Sequence, residues 1–129
     1  MAISLNHTIV PTRDKQTSAE FLTRILGVSL GEPFGHFVPV RINETTSLDY
    51  ANHSELTRMV SPEVVPQHYA FAVDDADFDA IMERIIQEGL NYYAEPRDPK
   101  RYGEINTSRK GRTVYFDDPD GHVMEVMTA

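Results

Sequence analysis

The sequence predicts an α+β fold built from two copies of one plan: a strand, a helix and then further strands. Three observations carry that reading. Two short runs alternate on period two and each holds a histidine, S-L-N-H-T-I-V at 4–10 and Q-H-Y-A-F-A-V at 67–73. Each is followed by apolar residues at helical spacing that stop at a glycine, Gly27 and then Gly89. Each half then closes on a strand with one carboxylate, Asp49 in the first and Glu125 in the second. Period two marks a half-buried strand, a 3.6-residue period marks an amphipathic helix, and recurrence of both in one order marks an internal repeat.

The first strand runs to Val10 and should be stopped by Pro11. Leu5, His7 and Ile9 share one face, and Asn6, Thr8 and Val10 the other. Thr17-Ser18-Ala19-Glu20 is a capping-box pattern, and Phe21, Leu22, Ile25 and Leu26 give the apolar face of a helix ended by Gly27. Residues 37–42 and 46–51 read as strands around an Asn43-Glu44-Thr45 turn, with Ser47, Asp49 and Ala51 on one face and Leu48 and Tyr50 on the other. Residues 53–66 carry two prolines and no period, and read as a linker between module one (1–52) and module two (67–129) of a single domain.

In the second half His68, Ala70 and Ala72 share a strand face opposite Tyr69, Phe71 and Val73. Asp74, Asp75 and Asp77 suit an N-cap and first turn, and Phe78, Ile81, Met82, Ile85 and Ile86 form the helical stripe. The loop from Glu95 to Gly111 carries many basic residues and is too long for a passive connector, which points to a lid or binding loop. Thr113 to Met127 reads as a hairpin: Val114, Tyr115 and Phe116 are strand formers, and Asp118-Pro119-Asp120-Gly121 is turn chemistry. Glu125 is then the one charged residue of an otherwise apolar strand, and a buried carboxylate needs a cation or donors.

Composition narrows the function. A length of 129 residues suits one domain with a real core. The formal net charge of −8 argues against nucleic acid and acidic membrane as partners. No apolar run approaches membrane-spanning length, and the N-terminus lacks a signal-peptide pattern. The chain has no cysteine, which excludes disulfides and thiolate metal sites and fits a cytoplasmic setting.

His7, His68 and Glu125 come from separate strands at equivalent places of the repeat, and two imidazoles with a carboxylate form a facial set suited to a divalent metal, Fe, Mn, Ni, Co or Zn. Asp49 is the candidate fourth ligand. Small residues beside these positions, Ala70, Ala72, Ser47 and Ala51, leave room on that face for a small-molecule substrate. His122 reads as a turn or supporting residue, and His36 and His53 as surface residues.

These segments resemble the vicinal oxygen chelate superfamily, which includes glyoxalase I, ring-cleaving extradiol dioxygenases, fosfomycin-resistance thiol transferases and bleomycin-resistance proteins. The resemblance rests on L-N-H-T-I-V at 5–10, Q-H-Y-A-F-A-V at 67–73 and V-Y-F-D-D-P-D-G-H-V-M-E at 114–125. It implies paired βαβββ modules forming a curved, incomplete mixed β-barrel around a central cavity. It implies metal ligation by His7, His68 and Glu125, with the metal acting as a Lewis acid on a substrate chelated through adjacent oxygens. Tyr115 stands at the place of the dioxygenases' active-site tyrosine. The resemblance points first to a dioxygenase or glyoxalase-like lyase. Thiol transfer to an antibiotic and non-catalytic ligand binding of the bleomycin-resistance type are the alternatives. The resemblance implies modules that pair either within one chain or between two chains, and a homodimer is expected.

Overall fold

The structure is a computed structural model that describes residues 2–56, 58 and 63–128. It consists of two compact units, Met1–Val65 and Pro66–Ala129. Residues 57 and 59–62, part of the expected linker, lie outside the described residues.

Unit 1 has the order β1 (His7–Thr12), α1 (Lys15–Leu26), β2 (Ser29–Leu30), β3 (Val38–Arg41) and β4 (Ser47–Asn52). Its sheet runs β1-β4-β3-β2, with β1 parallel to β4 and the other pairs antiparallel. The unit is thus a βαβββ module on a mixed sheet. Pro11 does not stop β1, which continues to Thr12 with Pro11 opposite Ala51. A proline is tolerated because β1 is an edge strand, where one row of amides needs no ladder partner.

Helix α1 also starts before the expected capping box. Asp14 is the N-cap, and its carboxylate accepts from the amides of Gln16 and Thr17 at 3.1 and 3.2 Å. Glu20 accepts instead from the Gln16 side chain at 2.8 Å. The helix ends as expected at Gly27, in the left-handed region at φ 74°. Ala19, Phe21, Leu22 and Ile25 bury the inner face of α1 over β3 and β4, where Val38, Val40, Leu48 and Tyr50 are buried. Each large side chain so buried contributes about 1.5–3 kcal/mol.

Unit 2 has the order β5 (His68–Ala72), α2 (Asp75–Gln87), β6 (Thr113–Asp117) and β7 (Val123–Met127). Its sheet runs β5-β7-β6, with β5 parallel and β6 antiparallel to β7. The second module lacks a full counterpart of β2. In its place Tyr93 exchanges both backbone hydrogen bonds with Tyr115 at 2.9 Å, a single bridge beside β6. Asp74 caps α2 by accepting from the Asp77 amide at 2.8 Å. Phe78, Ile81, Met82 and Ile85 are buried, whereas Ile86, expected in the stripe, is 59% exposed. Arg112 ties β6 to α2 through Asp79 at 2.7 Å and Asp75 at 2.9 Å, with its guanidinium 4.3 Å above the Phe78 ring.

Neither mixed sheet closes on itself. No helix among the described residues is long and apolar enough to cross a membrane.

Candidate metal centre

The parity of β5, β6 and β7 sets the site in unit 2. Tyr115 pairs directly with Glu125, and Glu125 with Ala70, so these three form a row across the sheet. His68 lies two residues from Ala70 on the same face, diagonal to Glu125. Val114, Phe116, Met124 and Val126 point to the opposite face and are buried. Site and core therefore occupy alternate sides of one small sheet.

His68 and Glu125 are in contact. Nε2 of His68 lies 3.0 Å from Oε1 of Glu125, and Nδ1 lies 3.1 Å from the carbonyl oxygen of Val123. A carbonyl can only accept, so Nδ1 carries a proton and donates it. In the neutral ring Nε2 then presents a lone pair to a carboxylate oxygen. Two lone pairs at that distance call for a cation between them, either a proton or a metal ion. Ligand atoms about 2.1 Å from one ion and at right angles lie about 3 Å apart, so the pair also fits a metal by spacing. A backbone carbonyl behind the imidazole is the usual support that fixes a metal-binding tautomer. The His68 side chain is 50% exposed and that of Glu125 11%, so the pair is reachable from solvent yet anchored in the sheet.

The equivalent pair in unit 1 has the same register. His7 lies opposite Ser47, and Asp49 is two residues further along β4, as Glu125 is beyond Val123. The side chains behave differently. Asp49 is buried and accepts from the Ser47 hydroxyl at 2.8 Å. Exposed His7 donates from Nδ1 to Asn6 Oδ1 at 2.7 Å, which again leaves Nε2 as the free lone pair. His7 thus has the tautomer a ligand needs, while the shorter Asp49 side chain is engaged by its neighbour. The structure brings His68, Glu125 and Tyr115 together on one face of unit 2, and places His7 and Asp49 on the corresponding face of unit 1.

A second cluster, not expected as a ligand set, lies in the β6–β7 turn. Asp118, Asp120 and His122 are all buried, with potential ligand atoms within 4.8 Å of one another. Two features favour a structural use. Nδ1 of His122 accepts from the Gln67 amide at 2.9 Å, so the neutral ring holds its proton on Nε2 and has no lone pair left for a metal. Asp118 Oδ1 accepts from the amides of Asp120 and His122 at 2.9 and 2.8 Å, closing the turn. Burial pushes the Asp118 carboxyl up from its ordinary range, and its Oδ2 has no hydrogen-bond partner among the described residues. The cluster joins the turn to the residue just before His68, and so holds β5 in register. Of the other histidines, exposed His36 pairs with Glu55, and His53 lies 3.1 Å from the Thr12 carbonyl.

Sequence reasoning missed Arg109 as a partner of Tyr115. Its Nη1 lies 2.7 Å from the Tyr115 hydroxyl, and its Nη2 3.4 Å from Glu95. The 95–111 loop reaches β6 through Asn106, which is buried and exchanges backbone hydrogen bonds with Thr113 at 2.8 and 2.9 Å. The basic composition of the loop was the available signal. Nothing in the sequence indicated which of its cations folds back onto the sheet.

The chain matches the family described as the Glyoxalase/Bleomycin resistance protein/Dioxygenase superfamily over residues 4–126. Among solved structures it is similar to the oxidase ChaP-H2, at 45% identity and a TM-score of 0.86 over 100% of this chain and 95% of that one. It is similar to the oxidase ChaP-H1 at 46% identity and a TM-score of 0.84, covering 99% and 97% of the two chains. Among curated relatives it is similar to the glutathione transferase FosA of Serratia marcescens, 28% identical over 98% of this chain and 81% of that protein. With its repeated strand–helix–strand plan and a family match across nearly its whole length, the chain belongs to the glyoxalase, bleomycin-resistance and dioxygenase superfamily, the vicinal oxygen chelate group.

Proposed function

We propose that this protein is a metal-dependent oxidase or dioxygenase that binds a small molecule through two adjacent oxygens. The observation that carries the reading is the His68–Glu125 pair, with Nε2 3.0 Å from Oε1 and the imidazole held from behind by Nδ1 donating to the Val123 carbonyl. His68 and Glu125 supply two ligands, and His7 the third, from unit 1 of the same chain or of a second copy. In the first case the two units act as one domain. Asp49, held by Ser47, is a supporting carboxylate in this reading. A divalent metal there would act as a Lewis acid on the chelated oxygens. Likeness to two oxidases at 45% and 46% identity favours oxidation over isomerisation.

The chain's own residues have defined tasks. Ala70 and Ala72 keep the β5 side of the face low, so a flat substrate can lie over the sheet. Tyr115, directly across from Glu125, offers a hydroxyl to a substrate oxygen. Edge strands β1 and β5 each leave one side without a ladder partner in their own sheet, and pairing with a second copy would cover them. The assembly in this proposal is therefore a homodimer.

The test is metal content by mass spectrometry for protein purified without chelators, alongside oxygen uptake with catechols. Wild type should hold a divalent metal, and His68→Ala should lose most of it. Unchanged stoichiometry in His68→Ala would remove the basis of the assignment. Similarity to FosA supports a second reading, thiol transfer to a small electrophile. Thiol consumption without oxygen uptake would select it. Light scattering that shows only monomer at micromolar concentration would rule out the dimer.

A further inference from the structure

Tyr115 has an unusual hydrogen-bond balance. It is 4% exposed, it stands directly opposite Glu125, and its ring stacks on His68 with centroids 6.2 Å apart. Its hydroxyl has one donor and two acceptor positions. Arg109 has no acceptor, so the 2.7 Å contact is Arg109 donating and Tyr115 accepting. No acceptor for the phenol's own proton occurs among the described residues. A phenolic proton prefers the ring plane, which offers two positions. With the guanidinium on one side, the proton is directed to the other.

Arg109 does not reach this place by chance. Its second nitrogen is held by Glu95, at 3.4 and 3.5 Å to the two carboxylate oxygens. Glu95 is fixed in turn by the Asn106 side chain at 2.8 Å, which also donates to the Ala94 carbonyl at 3.2 Å. Asn106 Oδ1 accepts from both the amide and the hydroxyl of Ser108, at 2.9 and 2.8 Å. Asn106 is 1% exposed, so the chain Asn106–Glu95–Arg109–Tyr115 starts from a buried anchor and ends on the site face. The bond to Tyr115 is also the largest cause holding the Arg109 guanidinium above its ordinary range, with Glu125 a smaller one.

We propose that Arg109 is a positioning residue: by occupying one side of the Tyr115 hydroxyl it aims the phenol proton at a substrate oxygen held on the face of His68 and Glu125. The inference rests on the reading of that face as a metal-centred substrate site. An aimed donor beside a guanidinium suits a ligand oxygen that carries negative charge, as an ionised catechol does.

The test is a double-mutant cycle on binding, with no turnover required. Zinc-loaded wild type, Arg109→Met, Tyr115→Phe and the double variant are titrated with 4-nitrocatechol, followed by visible absorbance. Methionine keeps the aliphatic stem and removes the donor, and thermal melts confirm that each variant folds. Arg109→Met and Tyr115→Phe should each weaken binding about tenfold, the strength of one charge-assisted hydrogen bond. The double variant should be no weaker than Tyr115→Phe alone, since Arg109 acts only through the hydroxyl. Arg109→Lys, which keeps a donor, should recover part of the loss in the tyrosine background and none in the phenylalanine background. Losses that multiply in the double variant, or wild-type binding in Arg109→Met, would overturn the assignment. Zinc content is measured in the same samples. Wild type without zinc would overturn the metal-centre reading and this inference with it, whereas zinc present with multiplicative losses would overturn the role of Arg109 alone.

Discussion

Replacing Glu125 by glutamine separates a metal site from an ordinary ion pair. The two side chains have nearly the same shape, so the change removes charge and one acceptor oxygen and leaves packing intact. In the metal-free protein the wild-type pair depends on a proton between His68 Nε2 and the carboxylate. Opposite unit charges 3.0 Å apart attract by about 5 kcal/mol at an effective dielectric of about 20. The His68 side chain is 50% exposed, however, and exposed pairs are worth about 0–1 kcal/mol once solvent screening and side-chain entropy are counted. The introduced amide can donate to the Nε2 lone pair and recover much of that. Metal-free Glu125→Gln should therefore melt within about 5 °C of wild type. Metal affinity should behave differently, because even a residue supporting a ligand costs about 10–100-fold when lost, and a direct ligand costs at least as much. The assay pairs thermal denaturation of chelator-treated protein with competition titration of zinc or manganese. Affinity within threefold of wild type would refute the metal reading. A large loss of metal-free stability would show that the pair serves mainly the fold.

Two further outcomes follow from the same unit. His122 is fully buried and accepts the Gln67 amide, so His122→Phe should leave that N–H unpaired and cost about 1–3 kcal/mol in urea denaturation, with metal occupancy falling because Gln67 precedes His68; a loss below about 0.5 kcal/mol would contradict the latch. Burial, and secondarily the Asp118 carboxylate, pushes the Tyr69 phenol up to about 12 from 10.0. A raised folded value means that stability from Tyr69 is present below about pH 10 and is lost as pH rises through about 12. Tyr69→Phe should therefore lose less stability than wild type across that window, and parallel curves would count against a buried, neutral phenol.

The parts of this molecule legible in its sequence are those governed by periodicity. Alternation placed Tyr115 and Glu125 on one side of their strands and Phe116 and Val126 on the other, because strand parity needs no tertiary information. The repeat itself was readable from His7 and His68 and from the two helix-stopping glycines. Boundaries were harder. The capping-box pattern pointed to Thr17, but the carboxylate of Asp14, which takes two amides, caps the helix three residues earlier. Pro11 looked like a stop, but it breaks only a strand that needs its amide, and edge position is a property of the sheet. Strand β2 is two residues long and carries no period to detect. The Arg109–Tyr115 contact depends on how a long loop returns, which Asn106 decides through backbone and side-chain bonds without any local pattern.

The hydrogen bond from the Gln67 amide to His122 joins residues 55 positions apart and fixes how β5 meets β7. Parallel strands have no tight turn to set their alignment, so a slip by one residue is the natural error of such a pair. Here that error would be self-defeating. It would turn His68 away from Glu125, and in the same movement bring Tyr69 and Phe71 out of the core face. A misaligned chain would thus lose both the His68–Glu125 contact and part of its core, and be open to removal by the proteases that clear poorly folded protein. Quality control of folding then acts on the candidate site as well, because correct alignment of the hydrophobic face and correct pairing of His68 with Glu125 are one event.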